Sequence, residues 1–232
     1  MCPVYVAAHF APSGDQVHEL LRDIGAADLV TVHADGVVAT YLPFLYDRDV
    51  GEHGALLTHV ARNNSQAREA VVGEALVIAH GPDHYIAPDW LPSNARTGEV
   101  VPTWNYVTVH AYGTLTVHDD PDWVLDVVRR TTALHEHHYS VDDVPPDFVA
   151  RQLRAIIGLE VRLTRIEAKA KMSQNKAPGD VLGIIEGLRS AAGGSAHATA
   201  DWMAAHSLPA AQARADLIEG LATGPGGRRH RS

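Results

Sequence analysis

Histidine is over-supplied in this chain, with 15 among 232 residues against 7 tyrosines and 3 phenylalanines. Neutral imidazole is the commonest protein metal ligand and the usual acid–base group near neutral pH, so spacing must decide what these rings do. The densest group, His135-Glu136-His137-His138, ends an amphipathic run from Pro121. A helix C-terminus favours such residues against its dipole, which makes a cap the better reading than a metal site. No His-Glu-x-x-His motif of a zinc protease is present. Arg62 and Asn63 follow a strand and open a short helix, which would set a guanidinium fork and backbone N–H groups beside an anion. The alternative for Arg62 is a surface ion pair with Glu69 or Glu74. Lys169 and Lys171 alternate just before Ser173-Gln174-Asn175 and could serve the same anion.

Strands and helices must position these groups. Asp15 to Asp23 has its apolar residues at helical spacing. Leu29 to His33 and Val37 to Tyr46 flank Asp35-Gly36, a hairpin signal, and Pro43 belongs at an edge or a bulge. Strands are expected at Ala55 to Val60 and Glu74 to His80. Gly81 to Pro102 carries four prolines and reads as a long connection of the kind that often holds function. Tyr106 to Val117 alternates, with Thr108, His110, Tyr112 and Thr114 on one face and Val107, Val109, Ala111 and Leu115 on the other. His110 and Tyr112 are therefore candidate proton-transfer groups, with His80 and His84 near the long connection as others. Helices follow at Pro121 to Glu136 and Pro146 to Ile157, a strand at Gly158 to Ala168, and a helix at Ala177 to Ser190. This order lacks regular βαβ alternation and argues for an α+β protein on an antiparallel barrel. Residues 1–190 form the cofactor-binding domain in this reading, and 191–232 an Ala-rich helical extension with a basic tail at Arg228-Arg229-His230-Arg231.

The composition, 46% apolar and 20% charged, is that of a globular chain. No apolar stretch is long enough to span a membrane and no secretion signal opens the chain, so the expected compartment is the cytoplasm. The formal charge of −9 disfavours a direct nucleic-acid reader. One cysteine, Cys2, cannot form an intrachain disulfide, and no Cys-x-x-Cys-His motif exists to attach a haem covalently.

Six segments carry a resemblance: Tyr5-Val-Ala-Ala-His-Phe10, Leu29-Val-Thr-Val-His-Ala-Asp-Gly36, His59-Val-Ala-Arg-Asn63, Gly81-Pro-Asp-His-Tyr-Ile-Ala-Pro88, Val101-Pro-Thr-Trp-Asn-Tyr-Val107 and Lys171-Met-Ser-Gln-Asn175. Over about Val4 to Leu188 the chain resembles the PaiB-type family of FMN-binding negative transcriptional regulators. That resemblance implies a flavin-reductase-like split β-barrel and a homodimer with its cofactor pocket between subunits. It makes Arg62, Asn63, Lys169, Lys171 and Gln174 the expected cofactor-binding set, for an FMN phosphate or a haem propionate.

Two departures from the family pattern point away from FMN. Ala67 and Ala170 stand where the family has tryptophans, and the loss of two indoles would open room for a porphyrin. The other reading is drift in peripheral packing. The chain is similar to a branch of this fold, the haem-dependent piperazate synthases of actinobacterial peptide-antibiotic pathways. That likeness implies haem b, with FMN as the alternative, and His59 as the axial ligand to the iron; Cys2 is the rival ligand. The implied reaction joins two nitrogens of N5-hydroxy-L-ornithine to give L-piperazic acid with loss of water, a lyase-type cyclisation of a small amino-acid substrate.

Overall fold

The structure is a computed structural model that describes residues 6–223. Cys2 and the arginines of the tail lie outside the described residues. In chain order the elements are α1 (Gly14–Arg22), β1 (Ala26–His33), β2 (Gly36–Pro43), β3 (Leu45–Asp47), β4 (Ala55–Ala61), α2 (Ser65–Arg68), β5 (Ala75–Ile86), α3 (Pro92–Thr97), β6 (Thr103–His118), α4 (Pro121–His135), α5 (Pro146–Leu153), β7 (Ile156–Lys171), α6 (Pro178–Ser190), α7 (Gly194–Trp202) and α8 (Leu208–Thr223). They fall into two compact units, residues 12–80 with 108–168, and residues 81–107 with 169–223 and the segment before Pro12.

The strands form one seven-stranded sheet in the order β2-β1-β5-β6-β7-β4-β3. Its pairings β1–β2, β1–β5, β3–β4 and β4–β7 are all antiparallel. The outermost strands, β2 and β3, are separated in sequence by Phe44 alone. A sheet whose two ends are consecutive in the chain must curl until those ends approach, which is how a barrel disposes of its edges. Thr58 of β4 seals the approach by donating to the Pro43 carbonyl at 2.6 Å. Pro43 is tolerated because it ends an outer strand and need not donate to a ladder. The fold is therefore a split antiparallel barrel with flanking helices, as the element order leads one to expect.

Within the first unit Leu29, Leu56, Val60, Val77, Val109, Ala111, Leu159 and Val161 fill the barrel. Helix α1 plugs one end with Leu21 fully buried, and its first turn is closed by a Ser13–Gln16 capping box. Strand β7 contains a change of phase. Ile157, Leu159, Val161 and Leu163 are core residues, yet beyond them it is Ile166 and Ala168 that pack against the same core. A strand of period two keeps one face unless its alternation is interrupted, and the change of packing here falls between Leu163 and Ile166. That shift turns Arg165 and Glu167 outward.

In the second unit the expected long connection is structured. Strand β5 runs to Ile86, a 3-10 turn covers Pro88–Trp90, and α3 begins at Pro92. Two of the prolines that look like breakers open these turns, where the missing N–H costs nothing. The ring of Trp90 lies on α6, where any side chain at Gly187 would collide with it. Helix α6 ends at Ser190, α7 begins after Gly193 at φ +107°, and one π-helical turn, Met203–Ser207, joins α7 to α8.

Candidate functional site

His59 lies on β4 directly opposite Gly158 of β7. Its neighbours Thr58 and Val60 are buried, and Val60 is part of the barrel core, so alternation sends the His59 side chain to the outer face with Ala55 and Leu57. That face is covered by α4, whose Val127 and Trp123 pack on Leu57 and Ala55. Gly158 is required here, because an added Cβ would fall inside the Trp123 ring. The same ring stacks on His118 at 4.0 Å between centroids and 6° between planes. His118 Nε2 in turn meets Glu160 Oε2 at 3.0 Å. His118 and His59 therefore flank Gly158 from the strands on either side of β7, with Trp123 over it.

The ring of His59 has no hydrogen-bond partner among the described residues. Desolvation by burial pushes its pKa below the ordinary 6.5. The result is a half-buried neutral imidazole with its lone pair unused, which is the state a metal ligand requires. Two other histidines are committed: half-buried His18 to the Tyr46 hydroxyl at 2.9 Å, and buried His33 to the Thr31 hydroxyl at 2.8 Å and the Ala70 carbonyl at 3.2 Å. Among the described residues no group of three or more His, Cys, Asp or Glu is placed to hold a bare metal ion. His135, His137 and His138 are exposed at the end of α4.

Arg62 has a different occupation from the one its position suggests. Its Nε donates to the Arg154 carbonyl at 3.1 Å, Nη2 to the Ile156 carbonyl at 3.0 Å, and Nη1 to Asp119 at 2.5 Å. The ion pair is with Asp119 and not with Glu69 or Glu74. The guanidinium clamps the end of β4 to the start of β7, and its charge is already matched. Asn63 is exposed in the turn, and the cap of the four-residue α2 is Asn64, which accepts from the Gln66 amide at 2.9 Å.

The outward face of β6 carries the other polar candidates of this unit. His110 is half-buried, without a ring hydrogen bond among the described residues, and its pKa is lowered, first by burial, with Glu167 opposing and His80 assisting. The Arg165 guanidinium lies 3.2 Å from the Tyr112 ring centroid, and its Nη1 meets Glu167 at 2.6 Å. Arg165 and Glu167 escape a reading of the sequence, because the phase change in β7 that takes them off the core face leaves no local mark in Leu163-Thr-Arg-Ile166. His118, Trp123 and Glu160 escape it too, since only Gly158 brings them together. His84 belongs to the second unit and bonds the Tyr85 carbonyl at 2.6 Å.

Lys169, Lys171 and Gln174 also lie in the second unit. Lys171 donates to Thr103 Oγ1 at 2.5 Å and to the Trp104 carbonyl at 2.8 Å. Both ammonium groups lie near the Tyr106 ring, at 5.7 and 6.0 Å from its centroid. Gln174 is spent on its own turn, donating to the Ala170 carbonyl at 2.6 Å and accepting from the Met172 amide at 2.9 Å. Ser173, at φ +62°, donates to buried Asn105 at 3.0 Å. The Ser-Gln-Asn segment is thus a structural knot. Ala170 is 1% exposed and Ala67 packs against the barrel core, so the volume of the two absent indoles is taken up by the chain and adds no space for a porphyrin.

Residues 4–165 match the family described as "Putative FMN-binding domain". An uncharacterized protein of Aspergillus fumigatus is 32% identical over 171 residues, 58% of this chain and 66% of that one, so the chain spans just under two thirds of that relative. The protease synthase and sporulation protein PAI 2 of Bacillus subtilis is 26% identical over 81% of this chain and 90% of that one. Among solved structures the flavocytochrome Anf3 of Azotobacter vinelandii superposes with a TM-score of 0.54 at 13% identity, covering 72% of each chain. At that identity the likeness supports the barrel fold alone.

Proposed function

The chain belongs to the family described as an FMN-binding domain, and on that footing we propose that it binds haem b through His59 and closes N5-hydroxy-L-ornithine to L-piperazic acid. The observation that supports this reading is the His59 ring, half-buried, kept neutral and without a hydrogen-bond partner among the described residues. Held by His59, haem would supply a Lewis acid able to weaken an N–O bond. The reaction balances without an external reductant: the N5–O bond breaks, the Nα–N5 bond forms, and the hydroxyl leaves as water with a proton from the α-nitrogen. The proton that frees the α-amine is taken by a base beside that centre. His110 stands eight residues along β6 from His118, about 26 Å by strand rise, so within one subunit it does not serve the His59 centre. Arg165 fixes the Tyr112 ring on the outward face of β6, six residues from His118 and so about 20 Å by strand rise from the His59 centre. Arg62 has no part in holding the cofactor in this reading; it keeps the end of β4, and so His59, in register. The working assembly is a homodimer, and the compartment is the cytoplasm.

An FMN-binding regulator is the second reading, favoured by the family description. A formal charge of −9 makes contact with a promoter unfavourable, so its target would be a protein. The deciding experiment is the absorption spectrum of protein purified from haem-replete cells, with FMN added to a parallel sample. A Soret band that disappears in His59→Ala, together with conversion of N5-hydroxy-L-ornithine by the wild type, is the expected result. A flavin spectrum alone, or a Soret band unchanged in His59→Ala, overturns the reading.

A further inference from the structure

Ahead of β4 a tyrosine hydroxyl is held between a histidine ring and a main-chain carbonyl. Tyr46 of β3 donates its one proton to the His53 carbonyl at 3.0 Å, so it accepts the Nδ1–H of His18, from α1, at 2.9 Å. The His18 and Tyr46 rings run nearly parallel, 13° apart between planes. The turn closes over the tyrosine because residue 54 is glycine: at φ +87° a Cβ there would lie 2.5 Å from the Tyr46 ring. These bonds fix the tautomer of His18. Its proton sits on Nδ1, and Nε2 keeps a lone pair that no described residue uses.

Two guanidinium groups gather about this imidazole. Arg22 stands one helical turn after His18 on the same side of α1. Arg48 lies two residues beyond Tyr46, and only its Nη1 is engaged, with the Glu52 carbonyl at 3.1 Å. Both arginines act on His18 and on Tyr46, and neither has an ion-pair partner among the described residues. Burial, then Arg48, His53 and Arg22 hold the pKa of His18 below its ordinary 6.5, with the Asp15 carboxylate opposing them. Two unmatched forks suit an oxyanion of two charges, and the lone pair of a neutral ring suits one that still carries a hydroxyl. Monohydrogen phosphate has both; sulfate has no proton to give, and neither has a phosphate monoester once doubly ionised. We propose that His18, Arg22 and Arg48 bind inorganic phosphate, the guanidinium groups facing its charged oxygens and His18 Nε2 accepting from its hydroxyl. This goes beyond the haem reading: the site lies at the opposite end of β4 from Arg62, shares no residue with the expected cofactor set and needs no iron.

The test is calorimetric titration of the full chain at low salt and about pH 7.5, where the His18 ring is neutral, with inorganic phosphate, sulfate and glycerol phosphate in separate arms. Wild type is expected to bind inorganic phosphate about tenfold or more tighter than either of the others, because each of those leaves the Nε2 lone pair facing an oxygen. Arg22→Gln and Arg48→Gln are each expected to weaken phosphate about tenfold. Arg48→Lys guards against misfolding: it keeps the charge, so affinity stays within about threefold. His18→Phe keeps a ring against Tyr46 and removes the acceptor, so phosphate and sulfate should bind equally, a change that loss of charge alone does not produce. His59→Ala separates this proposal from the haem reading, since phosphate binding must survive it. Sulfate or glycerol phosphate binding as tightly as inorganic phosphate in the wild type overturns the site. So does unchanged phosphate affinity in both glutamine variants, a preference that survives His18→Phe, loss of binding in His59→Ala, or no binding up to about 20 mM.

Discussion

Gly158 stands directly opposite His59 in the β4–β7 ladder, and the place its side chain would take is filled by the Trp123 ring. The absence of one Cβ thus lets an indole, a stacked His118 and the carboxylate of Glu160 assemble beside the one imidazole proposed to bind iron. Gly158→Ala is expected to lower stability by about 1–3 kcal/mol, the usual cost of overpacking. It should also part Trp123 from His118, which near-ultraviolet circular dichroism reads directly. An unchanged aromatic signal with an unchanged melting temperature would show that the ring has room to move.

Arg62 behaves as a clamp in the structure, with two bonds to main-chain carbonyls and one to Asp119. Half-exposed ion pairs contribute little, so Asp119→Ala should cost under about 1 kcal/mol. Arg62→Ala removes all three bonds and should cost about 2 kcal/mol in denaturant unfolding. Arg62→Lys should not restore it, because an ammonium lacks the planar fork that spans two carbonyls. Equal losses in the Arg62 and Asp119 alanine variants would reduce the residue to its ion pair.

Ser173 adopts a left-handed backbone to reach Asn105, and both residues are buried. Ser173→Ala keeps the backbone strain and leaves the Asn105 carbonyl oxygen without this donor. A loss of about 1–3 kcal/mol follows from that unpaired group, measured by thermal or denaturant unfolding. A smaller loss would mean that Asn105 finds another donor.

Much of the fold is legible in the sequence because its barrel strands obey period two. Val107, Val109 and Ala111 are buried and Thr108, His110 and Tyr112 are not, as their alternation requires. What is not legible depends on residues far apart or on a change of phase. Arg62 finds its partner at Asp119, beyond reach of local inspection. The shift in β7 after Leu163 turns Arg165 and Glu167 outward although the apolar pattern reads as continuous. Pro88 and Pro92 look like breakers in a loop and instead open helical turns. For the site, residue type made His59 and His110 candidates, and only the hydrogen-bond inventory separates them from His18, His33 and His118, which the fold has already used.

His59 and His110 also set a pH dependence. Burial is the leading cause of both lowered pKa values. Each ring therefore binds a proton less readily folded than unfolded, where the value is about 6.5. As pH falls through that unfolded value the unfolded chain takes up protons first, so the two rings subtract stability, and the loss levels off only below the folded pKa values. Above about pH 7.5 both rings are neutral in either state and contribute nothing to the slope. Unfolding free energy measured from about pH 7.5 to about pH 5 should fall in the wild type, and fall less steeply in His59→Gln and in His110→Gln. Ligand binding through His59 follows the opposite comparison: its ring keeps a free lone pair below the pH at which an exposed histidine is protonated. An apo-protein whose acid-limb slope is the same in wild type and both glutamine variants would show that neither ring is held neutral by burial.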